Sequence, residues 1–201
     1  MLSQRAVGEG FVTAASVADD AVGVETPRWF IAIVGNRAER KSSETLQASG
    51  YETYVAGQRE KHVWKNGRSK EVDRIVLPSL VFVRTTESDR KKRLAFLPCV
   101  RRFVTDPARR AEPGAPAPAA IVPDREMETL RFMLERAESP VSIEEKPLRV
   151  GDRVRVTSGR LLGLEGIVRR TDSGRSRLYV ALDILGCASV EIDRNLLELV
   201  S

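Results

Sequence analysis

Apolar and polar positions follow two different patterns along this chain, and the change falls near Pro147. Upstream, short apolar runs alternate with longer polar stretches. WFIAIV (29–34) reads as a strand and RAERKSSETLQAS (37–49) as a polar-faced helix ending at Gly50, a residue suited to a helix C-terminus. YETYVA (51–56) is a second strand, and KHVWKNGRSKEV (61–72) predicts a hairpin turning at Asn66-Gly67. DRIVLPSLVFVR (73–84) reads as strand, Pro-Ser break, strand. SDRKKRLAFL (88–97) is a short basic helix and VRRFVT (100–105) another strand.

A Pro/Ala/Gly loop, AEPGAPAPAA (111–120), precedes PDREMETLRFMLERA (123–137), with Pro at its first helical position. Met127, Leu130, Met133, Leu134 and Ala137 recur at i, i+3, i+4, i+7, which predicts an amphipathic helix. SPVSIEEKP (139–147) reads as a linker. Beyond it RVRVT, EGIVRRT, SRLYVALDIL, ASVEID and LLELV are short strands at close intervals, the grammar of a small closed β-barrel. The expected organisation is a tail at 1–27, an α+β domain of antiparallel sheet and helices at 28–138, a linker at 139–147, and an all-β barrel at 148–201.

Composition adds a bias in charge. Of 201 residues, 42% are hydrophobic and 30% charged, with a net charge of +5. The positive excess sits in residues 28–138, which carry 22 Lys and Arg against 15 Asp and Glu. Basic clusters there (Arg37, Arg40 and Lys41; Lys65, Arg68 and Lys70; Arg90 to Arg93; Arg101 and Arg102) are either a solvated face or a surface close to nucleic acid. Cys99 and Cys187 stand alone, which points to a reducing, cytoplasmic setting. Neither a leader peptide nor an apolar run of membrane-spanning length is legible, so no membrane role is expected.

Catalysis finds little support. In VRVTSGRLLGLEGIV (154–168) the glycines could suggest a phosphate loop, but Gly166 is followed by Ile167 and Val168, a strand and not a helix. The glycines instead let two strands reverse tightly. His62 is the only histidine and lies in a charged hairpin, and no His/Cys cluster has metal-ligand spacing. The expectation is a protein with no catalytic residues, no metal and no cofactor. Along LPSLVFVR, Leu77, Leu80 and Phe82 oppose Val81 and Val83, so the strand is apolar on both sides. Such a strand is either covered on both faces or presents one to a partner.

The order of elements resembles the NusG family of transcription elongation factors. GDRVRV (151–156), with Val154 and Val156, followed by Gly159, Gly163, Gly166 and Val168, is similar to the KOW motif, which implies an SH3-like KOW barrel. RWFIAIV (28–34), LPSLVFVR, VRRFVT and APAAIVPDREMETLRFML (117–134) are similar to stretches of the family's amino-terminal domain. The charged hairpin, LPSLVFVR and IVPDREME further resemble the UpxY regulators of capsular polysaccharide operons and, more distantly, RfaH.

The resemblance implies docking on the clamp helices of RNA polymerase's largest subunit, suppression of pausing and termination, and a barrel that contacts Rho or a small-subunit ribosomal protein. It places the polymerase-facing patch on Ile33, Leu77, Pro78, Leu80, Phe82, Phe103 and Met127, and so favours a partner-facing strand at 77–84. It leaves Arg37, Arg40 and Lys41 as the residues near non-template DNA, because Leu97-Pro98-Cys99 replaces a basic residue that relatives can carry. Relatives often have Phe-Pro-Gly-Tyr or Phe-Pro-Asn-Tyr where this chain has Leu77-Pro78-Ser79-Leu80. Two rival readings are the general elongation factor and a ribosome-associated KOW RNA-binding protein.

Overall fold

The computed structural model describes residues 25–63, 67–110, 112–144, 151–171 and 174–200. Most of the expected tail, Asn66 of the hairpin turn and the end of the expected linker lie outside these residues. The N-terminal domain runs β1 (Arg28–Ile33), α1 (Glu39–Ala48), β2 (Glu52–Tyr54), β3 (Gly57–Val63), β4 (Ser69–Ile75), β5 (Leu80–Thr85), α2 (Glu87–Lys92), a 3-10 turn (Leu94–Phe96), β6 (Arg102–Phe103), β7 (Ile121–Val122) and α3 (Asp124–Arg136). Its main sheet is antiparallel in the order β2-β5-β1-β6, with β7 also pairing with β1.

Period-two alternation decides which residue goes to which face. The register Ile31↔Phe82 and Phe30↔Val83 puts Trp29, Ile31 and Phe82 on one face, with Phe30, Ala32, Val81 and Val83 on the other. α3 covers the first face with Met127, Leu130, Met133 and Leu134. Leu46 of α1, Leu94 and Val100 cover the second. The sheet apolar on both sides is therefore the middle of three layers, and each fully buried Leu, Ile or Phe in it contributes about 1.5–3 kcal/mol.

Local signals account for the element ends. Gly50 (φ +89°) closes α1, where Gly50 N donates to Gln47 O and Tyr51 N to Leu46 O. The Thr86 hydroxyl accepts from Asp89 N at the start of α2, with Glu87 and Asp89 in the first turn and Arg90, Lys91 and Lys92 in the last. Pro123 sits one position earlier than expected, at the cap preceding Asp124. The β3–β4 hairpin is longer than its sequence signal and forms a two-stranded sheet of its own.

The second domain is all β: β8 (Ser142–Glu144), β9 (Asp152–Val156), β10 (Glu165–Arg170), β11 (Ser176–Leu182), β12 (Gly186–Ile192) and β13 (Leu197–Leu199), in the order β13-β9-β10-β11-β12-β8. Where a closed barrel was expected, the strand path ends at β13 and β8, which do not pair with each other among the described residues. β8 falls in the segment read as linker. It becomes an edge strand because Ile143 pairs opposite Ala188 on β12.

The glycines have two separate physical roles. Gly163 turns the chain at φ +86° with open space around it. Gly166 lies within a strand, and a Cβ there would come within 2.3 Å of Tyr179 O on β11. Val154, Val156, Leu178, Val180 and Leu182 fill the interior, in one continuous cluster with the α3 face of the first domain.

Candidate functional site

Of the seven patch residues, five lie on the α3 face. Ile33 pairs directly opposite Leu80, so both project to the side that carries Phe82 and Met127. Leu77 joins the same cluster, and Pro78 is the exposed apex beside it. Only part of the expected patch reaches the surface: Phe82 and Met127, 0% and 1% exposed, form a buried floor packed between the sheet and α3 that presents nothing to a partner, while Ile33, Leu77 and Leu80 are half-buried and form its rim. Phe103 is not brought to this face. It pairs opposite Ala32 and sits edge-on to Phe30 on the α1 side, with the Arg90 guanidinium over both rings. Sequence alone could not separate them, because the two-residue strand β6 carries no alternation from which to read a face.

The rim is held by an unusual turn. Ser79 adopts φ +62°, a left-handed conformation that costs a side chain about 1–2 kcal/mol. Ser79 N donates to the buried Glu39 carboxylate at 2.6 Å, and Ser79 O accepts from Val34 N at 2.9 Å. α1 thus anchors the 77–80 loop against the end of β1. On the far side of the floor, Arg131 lies 4.8 Å from the ring centres of both Trp29 and Tyr54. Burial, then the charge of Glu135, pushes the Tyr54 phenol up to about 12, so it stays neutral.

The basic trio is split as well. Arg37 and Lys41 are exposed and pair with no acid among the described residues. Arg40 instead reaches β4, 3.2 Å from Asp73. Arg101, which the sequence groups with Arg102 in a basic cluster apart from the Arg37 trio, lies against the same turn as Arg37: its backbone N–H donates to Ile33 O, and its guanidinium approaches Gly35. Phe96, at 79%, is the most exposed large apolar side chain among the described residues, next to the basic end of α2. Burial and side-chain contacts, which sequence lacks, are the signals that single these two out.

The second domain touches the first at the start of α3. Asp183 N and Ile184 N, in the β11–β12 turn, donate to the Glu126 carboxylate at 3.1 and 3.3 Å. Burial holds that carboxyl above its usual range, against the lowering effect of these bonds. A cavity of about 620 Å³ beside this contact is lined by Arg125, Glu126, Arg153, Glu165 and Asp183, charges of both signs. The expected motif positions Val154 and Val156 are buried inside the β domain, Val168 is half-buried, and Gly159 takes φ +84° at the turn after β9. No group of three His, Cys, Asp or Glu among the described residues could hold a metal ion, and no described helix is long and apolar enough to cross a membrane.

Residues 27–131 match the sequence model of the family described as transcription termination factor NusG. The match ends within α3. Among solved structures, one on domain interaction in Thermotoga maritima NusG is 21% identical, covers 88% of this chain and 98% of its own, and superposes with a TM-score of 0.46. The MjSpt4:Spt5 complex in conformation B is 18% identical, with 86% and 97% covered and a TM-score of 0.25. No curated protein matches the chain.

Proposed function

The chain belongs to the NusG family of transcription factors, and on that premise we propose that it binds RNA polymerase and suppresses pausing and termination, acting at a surface or capsular polysaccharide operon. One observation carries the reading: the half-buried apolar rim of Leu77 and Leu80, with Ile33 paired opposite Leu80 and Pro78 at the apex, is continuous with the buried floor at Phe82 and Met127. An aliphatic rim of this kind suits the clamp helices of the polymerase's largest subunit, since burying it on a partner removes apolar surface from water. Phe103 lies on the other face and is left out of that surface. Arg37 and Lys41, joined by Arg101, face the non-template DNA, while Arg40 is held by Asp73.

The mechanism is selective binding. A factor that binds the elongating state of the polymerase better than its opened, paused state shifts the population by that difference in affinity, without covalent chemistry. We assign the β domain as a KOW domain that recruits a further partner, Rho or a small-subunit ribosomal protein. The setting is the cytoplasm, with no catalytic residue and no cofactor.

Leu80→Glu tests the rim. It is expected to weaken polymerase binding at least about thirty-fold, the scale of a hot-spot residue, while the sheet amides keep their chemical shifts. An unfolded domain, or unchanged binding, refutes the assignment. The family's own description as a termination factor favours a second reading, the general NusG factor. Transcript profiling after deletion of the gene separates the two, since a genome-wide change sinks the operon-restricted version.

A further inference from the structure

Gln58 is a glutamine in an unusual position. It lies on β3, is 3% exposed, and spends its whole amide on the chain that crosses from α3 to the β domain. Its Nε2 donates to Ser139 O at 3.0 Å and reaches Ala137 O at 3.4 Å, and its Oε1 accepts from Val141 N at 2.8 Å. Arg74, directly opposite on β4, donates from the same guanidinium to Val141 O at 2.7 Å and to Gln58 Oε1 at 3.4 Å. Glu60 fixes that guanidinium through Nε. Val141 itself is fully buried, and the next residue, Ser142, begins β8 on the edge of the second sheet.

We propose that Gln58 and Arg74 form a clasp on residues 137–141 that holds the β domain against α3, so that breaking it frees the β domain to reorient while both domains stay folded. The clasp replaces a strand pairing: two side chains satisfy the N–H and C=O of Val141, which would otherwise be buried without partners. β8 then passes the restraint directly to β12, leaving no slack between the clasp and the domain it orients. The remaining tie in this region, Arg160 to Glu138 at 3.1 Å, is largely exposed and contributes little. The Glu126 contact and the apolar cluster shared by α3 and the β domain press the two domains together, while the clasp fixes the path of the chain between them.

The test uses the full-length chain. Backbone 15N relaxation is measured on the wild type, on Gln58→Ala and on Gln58→Glu, the latter a same-shape replacement that loses both donors toward Ser139 and Ala137. Wild type is expected to tumble as one body. Both variants are expected to lose the shared correlation time, the β domain tumbling faster, with the amide shifts of β5 and β11 unchanged. A single shared correlation time in a folded variant overturns the proposal. Hydrogen exchange on the wild type decides the matter even if both variants unfold. The Val141 amide is expected to open together with those of Asp183 and Ile184, and more readily than the β11–β12 ladder. Protection at Val141 that persists while Asp183 and Ile184 exchange also overturns it.

Discussion

Substitution of Glu126 separates the two things its carboxylate does where the domains meet. The side chain supplies the acceptor for Asp183 N and Ile184 N, and it brings a charge into a site where the residue is 7% exposed. Glu126→Ala removes the acceptor. If the surfaces stayed together, each orphaned N–H would cost about 1–3 kcal/mol, roughly 2–6 for the pair. A contact this small opens to water sooner than it bears that cost. Glu126→Gln removes the charge and keeps one of the two acceptor oxygens, its NH2 standing opposite the other N–H.

The sign of the pH effect follows from burial raising the carboxyl's pKa. The docked state holds the proton more tightly than the separated state, so docking gains as pH falls through the raised value. The gain is complete below the ordinary 4.5 and is lost as pH rises through the raised value. Glu126→Gln is therefore expected to lose this dependence and, with one acceptor retained, to dock at neutral pH more tightly than Glu126→Ala. Amide hydrogen exchange at Asp183 and Ile184, corrected for intrinsic rates between about pH 4 and 7, reads the contact directly. Exchange in Glu126→Gln as fast as in Glu126→Ala at neutral pH would refute the reasoning, because the charge and not the acceptor would then hold the junction.

Other substitutions test other links. Gly166→Ala drives a Cβ to 2.3 Å from Tyr179 O and is expected to destabilise the β domain by about 3 kcal/mol or more, whereas Gly163→Ala meets nothing within 4 Å and costs about 1 kcal/mol for its positive φ. Denaturant unfolding followed through Tyr179 distinguishes them, and equal losses would show that β11 yields. Ser79→Gly relieves the left-handed strain while keeping the N–H bonded to Glu39, and is expected to raise stability by up to about 1 kcal/mol in thermal unfolding; no gain would mean that glycine's greater freedom in the unfolded chain offsets the relief. Arg90, 12% exposed in its side chain, bonds Glu87 through two nitrogens and covers the Phe30 and Phe103 rings. Arg90→Lys is expected to cost about 1–2 kcal/mol. The Arg90 hydrogen bond is the main reason the Glu87 carboxyl sits below 4.5, so the ion-pair part of that loss is present above 4.5 and fades as pH falls through the lowered value. A pH-independent difference would assign the whole effect to the rings.

The chain's own pattern determined the elements and the order of the two domains, because these depend on spacing. Met127, Leu130, Met133 and Leu134 recur at helical intervals, and Val81 and Val83 oppose Leu80 and Phe82 by strict alternation. The NG hairpin, Gly50 as the end of α1, and the strand-rich region after Pro147 are legible for the same reason. Only the tertiary structure decided which candidate residues share a surface. Phe103 went to the opposite face from Phe82 because pairing with Ala32, a contact far away in sequence, set its direction. Arg40 was drawn to Asp73 while Arg101 moved beside the turn of Arg37. The segment 139–147 looked like a linker because its prolines and acids carry no period. The backbone of its described residues nevertheless found partners, the side chains of Gln58 and Arg74 at Val141 and the edge of β12 at Ser142–Glu144. Those partners lie tens of residues away in both directions, and no local pattern encodes such a pairing.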